Sequence, residues 1–151
     1  MSFSTTITWT TGQTVTAAQM NAQVSANMDV ANLGHVTVGF VGSLTSGAKA
    51  GRWVAPYPVT VNNARGSVGT ASTSGSVVFD VLKTPAAGST AVTLFTSSSA
   101  LPTVSSGTFD GPASVPSVTA FAAGDVMTFA VVDDGSAATA DATVIISVSG
   151  A

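Results

Sequence analysis

At 151 residues the chain suits one domain with a sizeable core. Only 7% of its residues are charged, against a usual share of about 25%. A net charge of −3 excludes nucleic acid and anionic membrane as partners, since both demand a basic stripe, and the absence of cysteine excludes disulfides, thiolate metal centres and cysteine nucleophiles.

The cations are Lys49, Arg52, Arg65 and Lys83, and every acid is an Asp: Asp29, Asp80, Asp110, Asp125, Asp133, Asp134 and Asp141. The rest of the polar surface must therefore come from Ser, Thr, Asn and Gly. Such a surface fits a simply neutral β-protein, or a chain whose neighbours cover much of it, because low charge removes the self-repulsion that keeps proteins monomeric. The first residues have neither the basic start nor the apolar run of a secretory signal. Gly, Ser and Thr interrupt every apolar run well short of the ~20 residues of a membrane helix. The chain is expected to fold in a cytoplasm.

Residues 1–12 are a Thr-rich lead with Phe3, Ile7 and Trp9 as apolar members, which predicts an extended arm. Residues 14–33 predict the one convincing helix. Thr16 is a good N-cap, Gln19 completes a capping box, Val15 and Met20 supply a hydrophobic staple, and Gly34 stops the helix. Met20, Val24, Met28 and Ala31 recur at i, i+4, i+8 and i+11, a single narrow stripe, while Asn21, Gln23, Ser25, Asn27 and Asp29 form a polar face. That stripe suits packing on the chain's own sheets or on a partner.

From His35 the pattern changes to period two, with turn residues every roughly eight to twelve positions. Apolar side chains alternate at Val36, Val38 and Phe40, at Val59 and Val61, at Val77, Phe79 and Val81, at Val92 and Leu94, at Met127, Phe129 and Val131, and at Val144, Ile146 and Val148. Asn62-Asn63 and Asp110-Gly111-Pro112 predict turns, and Asp133-Asp134-Gly135 predicts the turn of a terminal hairpin. The fold class expected is mostly β, an antiparallel β-sandwich of jelly-roll type, with residues 1–34 as arm and helix and 35–151 as the sandwich domain. Residues 77–82 and 126–132 are apolar on both faces, which suits either cover by the loop at 97–117 or a subunit interface.

Chemistry is hard to find in this sequence. His35 is the sole histidine, placed where a helix C-terminus would favour its charge, and no nucleophile elbow or phosphate loop accompanies it. Asp133, Asp134 and Asp141 match no calcium loop. No catalytic residue, metal ligand or cofactor site is predicted. Arg52, Trp53 and Tyr57 are a candidate glycan or interface patch, although Pro56 and Pro58 favour an edge strand there and Trp and Tyr often bury against a neighbour.

The run Thr8-Trp9-Thr10-Thr11-Gly12-Gln13-Thr14-Val15-Thr16-Ala17-Ala18-Gln19-Met20-Asn21 resembles the start of small tail and virion proteins of actinobacterial phages. Val77-Val78-Phe79-Asp80-Val81, Leu101-Pro102-Thr103-Val104 and Val118-Thr119-Ala120-Phe121-Ala122-Ala123-Gly124-Asp125-Val126-Met127-Thr128 are similar to a β-sandwich common in the same proteins. Where those proteins carry Asp-Val-x-Lys-Asn-Gly-Thr, this chain has Lys83-Thr84-Pro85-Ala86-Ala87-Gly88-Ser89-Thr90, an altered hairpin. The resemblance implies a non-catalytic virion component assembled in the bacterial host cytoplasm: a minor tail or tail-appendage protein, or else a capsid decoration protein. Its expected partners are itself, as a homotrimer, and other virion proteins, with Trp9, Met20, Val24 and Met28 serving attachment or oligomerisation. A host-glycan-binding module is the reading from another class.

Overall fold

The computed structural model describes residues 34–135 and 139–151. The expected arm, the expected helix and the attachment residues Trp9, Met20, Val24 and Met28 lie outside the described residues.

Nine strands follow one another: β1 (His35–Ser43), β2 (Lys49–Val54), β3 (Val59–Thr70), β4 (Val77–Thr84), β5 (Val92–Thr93), β6 (Thr103–Val104), β7 (Ala120–Phe121), β8 (Val126–Asp134) and β9 (Ala140–Gly150). A short 3-10 turn, Ser98–Ala100, sits before β6. All pairings are antiparallel. One sheet has four strands in the order β1-β9-β3-β7; the other has five, in the order β2-β8-β4-β5 with β6 also on β4. This is the mostly-β, two-sheet, sandwich-like fold that alternating strands with Gly and Pro turns require.

The core lies between the sheets because alternate side chains of each strand face inward. Val59, Val61, Val144 and Ile146 from one sheet meet Val77, Phe79, Val81, Met127 and Phe129 from the other, all of them buried. The Phe40 and Phe79 rings join the layers with centroids 6.0 Å apart.

Two bulges keep that alternation facing the core. In β3 the inward residues are Val59 and Val61, then Ala64 and Val68, a change of parity made at Asn62, where the register with β9 slips by one. Asn62-Asn63 is therefore a bulge inside one long strand and not the turn that its composition predicts. In β2 the extra residue is Gly51, at φ +64°, so that Ala50 and Trp53 both face inward.

The predicted terminal hairpin also differs from the structure. Asp133 accepts a hydrogen bond from the Gly135 N–H at 3.0 Å, as an Asx turn does. The chain then crosses to the other sheet, because β9 pairs with β1 and β3 and not with β8. Local turn chemistry sets the reversal, but the strand it feeds is chosen by the core.

The loop over 97–117 runs along the edges of β4 and β3 and sends Leu101 and Val104 into the core. Pro102 accepts from the Phe79 N–H at 2.9 Å on β4, and Phe109 accepts from Val68 at 2.8 Å on β3. Asp110-Gly111-Pro112 is not a turn, since Asp110 bridges Ser67 and the Gly111 N–H donates to the Gly66 carbonyl at 3.0 Å. Arg65 clamps this stretch, pairing with the Asp110 carboxylate and donating from Nε to the Gly111 carbonyl at 2.9 Å. The pair is half exposed, so its contribution is on the order of 1 kcal/mol or less.

Candidate functional site

The densest polar cluster closes one end of the sandwich. Lys83 continues the inward series Val77, Phe79, Val81 on β4, so its stem runs into the core and its ammonium must find partners there. It finds Asp125, in the turn entering β8, with Nζ to Oδ2 at 2.9 Å. The side chains are 18% and 6% exposed. The same Nζ donates to the Ala120 carbonyl at 2.7 Å and lies 5.1 Å from the centroid of the Phe121 ring. Asp125 also accepts from the N–H of Ala86 at 3.0 Å and of Ala122 at 2.9 Å.

These contacts hold the Asp125 carboxyl below its ordinary range. The hydrogen bond from Lys83 is the main cause, the two backbone N–H groups act in the same direction, and burial opposes them. Both groups are fully engaged by the protein itself. The cluster ties the β4 end, the 120–125 turn and the 85–86 segment together as a clamp.

Trp53 packs at this end too, edge-on to Phe121 with centroids 6.5 Å apart and in contact with the core. Arg52 precedes it in the strand and so points to the opposite face, exposed. Tyr57 is 41% exposed on the turn after β2. The patch proposed from Arg52, Trp53 and Tyr57 is thus divided: Trp53 faces the core, Arg52 the outside of the five-stranded sheet, and Tyr57 a loop tip. As its prolines suggest, β2 is an edge strand.

The remaining titratable groups are dispersed. His35 is exposed at the start of β1, opposite Ser147. The Asp141 carboxylate accepts from the Gly42 N–H at 2.8 Å, and Asp134 accepts from the Ser46 N–H at 3.3 Å. Asp141 fastens the irregular end of β1, and Asp134 the turn that follows it. Among the described residues no group of three His, Cys, Asp or Glu gathers to hold a metal ion, and no helix is long and apolar enough to cross a membrane.

Sequence reasoning missed the Lys83–Asp125 clamp. The signal was present in parity: a lysine at the fourth place of an inward-facing series must either end the strand or carry a buried partner.

No family model, curated protein or solved structure matches the chain.

Proposed function

We propose that the chain is a non-catalytic structural protein of a phage virion, a minor tail or tail-appendage component that self-associates and attaches to the particle. The observation that carries this is strand order. Counting inward from both ends of the sandwich, β1 pairs with β9 and β2 with β8, while β3 and β4 take the other sides of β9 and β8. That order supports a jelly roll, a hairpin wrapped upon itself, and viral coat modules recur among jelly rolls. The phage-like residues at 8–21 and 118–128 support the same reading. In the tail-appendage arrangement three copies surround one axis, and the N-terminal segment holds the sandwich to the particle. Assembly takes place in the host cytoplasm.

The non-catalytic part rests on the acids. Each Asp at 110, 125, 133, 134 and 141 is engaged with backbone or with a cation of its own chain. None is paired with the exposed His35.

Electron cryomicroscopy of particles assembled with and without the chain tests the assignment. Density that disappears from the tail on deletion is the expected result. Density lost from the head lattice would replace the appendage reading with the decoration one. Particles of unchanged composition and outline would overturn both.

A further inference from the structure

Each sheet has two edges, and three of the four are guarded. The edge strands β5 and β7 are two residues long. The edge strand β2 carries Lys49 and Arg52, a bulge at Gly51 and prolines just beyond its end, all of which deter another strand from pairing with it. The exception is β1. It runs for nine residues, His35–Ser43, with no Lys, Arg, Asp or Pro, and β9 is its one strand partner among the described residues.

The Gly34 carbonyl accepts from the Val148 N–H at 3.2 Å, which fixes the phase of the β1–β9 ladder. Antiparallel pairs alternate between bonded and non-bonded positions. Val36, Val38 and Phe40 therefore turn their backbone groups to β9, opposite Ile146, Val144 and Ala142, while those of His35, Thr37 and Gly39 open onto the free edge. The side chains alternate as well. Val36 and Val38 lie against the core but stay only half-buried, whereas Phe40 is buried. His35 and Thr37 join Thr143, Ser147, Asn63 and Ser67 on a mostly polar outer face.

We propose that the free edge of β1 receives residues 3–9 of a neighbouring copy as an added antiparallel strand, head to tail around a ring of three. The proposal rests on the self-association put forward above and names its contact. The N-terminal lead alternates as a strand must, with Phe3, Ile7 and Trp9 on one side and Ser4, Thr6 and Thr8 on the other. The edge selects the register. Trp9 opposite Val36 and Ile7 opposite Val38 cover the two half-buried valines, and Thr5 falls opposite Phe40, which needs no cover. Thr6 and Thr8 then meet Gly39 and Thr37, whose open backbone groups they bond, and their hydroxyls continue the polar outer face. Neither segment contains Lys, Arg or Asp, so the pairing buries no ion. Chain length favours a neighbour's edge over the chain's own. In this register Thr10 lies beside His35, so residues 11–34 would have to return to their starting point. The helix expected over 16–33 is about 26 Å long, and residues 11–15 reach at most about 21 Å. A neighbour's β1 asks for no return. An edge met by an arm is a heterologous contact, which closes as a ring, and three copies match the axis proposed above. The helix stripe is left for the particle.

The chain has no cysteine, so a variant combining Thr8→Cys with Thr37→Cys reports the contact directly. Opposed residues at a bonded position lie about 5.5 Å apart between Cα atoms, within disulfide reach. Oxidation of the full chain should give covalent trimers on a non-reducing gel, and neither single variant should. Thr37→Pro removes an N–H that faces only the free edge. It should weaken association about tenfold in sedimentation while circular dichroism stays that of the sandwich. A monomer whose mass shows an internal disulfide would put the arm on its own β1 and overturn the exchange. Association without cross-linking, or association indifferent to Thr37→Pro, would overturn this edge while leaving self-association standing. A wild-type chain that is monomeric throughout would overturn both.

Discussion

Lys83 has three N–H bonds to place, and they face the Asp125 carboxylate, the Ala120 carbonyl and the Phe121 ring. Removing the carboxylate leaves an uncompensated charge in a mostly buried position, so Asp125→Asn should cost about 3 kcal/mol at neutral pH. The pH dependence follows from the lowered carboxyl pKa. A depressed value contributes stability that is fully present above the unfolded value of 3.8 and is lost as pH falls through the folded one. Urea unfolding of wild type and Asp125→Asn should therefore differ widely at pH 7 and converge below about pH 4. A gap of equal size at both ends of that range would mean that the pair contributes nothing through its charge.

Glycine supplies fit at the level of the strand. In β2 the bulge at Gly51 needs its positive φ, and a Cβ there would fall 2.6 Å from Val38 Cγ1 on β1. In β3 the inward face at Gly66 is filled by the Phe79 ring, which a Cβ would meet at 2.6 Å. Gly51→Ala and Gly66→Ala should each lower stability by about 1–3 kcal/mol, read as a shift of thermal midpoint, through strain and overpacking respectively. The strands themselves were legible, because alternation at Val77, Phe79 and Val81 or at Val144, Ile146 and Val148 states both period and face. The bulges were not. A parity change at Asn62 resembles a turn until the partner strand is known, and Asn is common in both settings. The crossing after Asp134 was hidden for the same reason, since a local turn does not say which sheet receives the next strand. Of the site, Arg52, Trp53 and Tyr57 stand close enough in sequence to suggest one glycan or interface patch, and burial of Trp53 against a neighbour was equally legible. Which face each takes depends on the Gly51 bulge, which turns Trp53 inward and Arg52 outward. Asp125 and Lys83 are distant in the chain, and only the core brings them together.

Over the whole molecule, the described residues build a core between two sheets, with Val59, Phe79, Phe129 and Ile146 among its buried members. Deleting residues 1–33 should leave the β-type circular dichroism intact and abolish incorporation into particles, and replacing Met20, Val24 and Met28 together by Ser should do the same. An unfolded truncation would place the N-terminal segment in the core instead. A folded truncation that still incorporates would move attachment to the sandwich.

The last strand, β9, stands between β1 and β3, with Val36 opposite Ile146 and Val61 opposite Val148. During synthesis, then, the first strand waits for the last. At about 5–20 residues per second the interval between them is on the order of ten seconds, and for that time Val36, Val38 and Phe40 have no native neighbour on β9 to pair with. The nascent chain carries few charges to keep such segments apart, so its folded yield should hinge on how quickly the final strand arrives. A chain ending at Asp134 never receives that strand, and it should accumulate in the insoluble fraction even though every other strand is present.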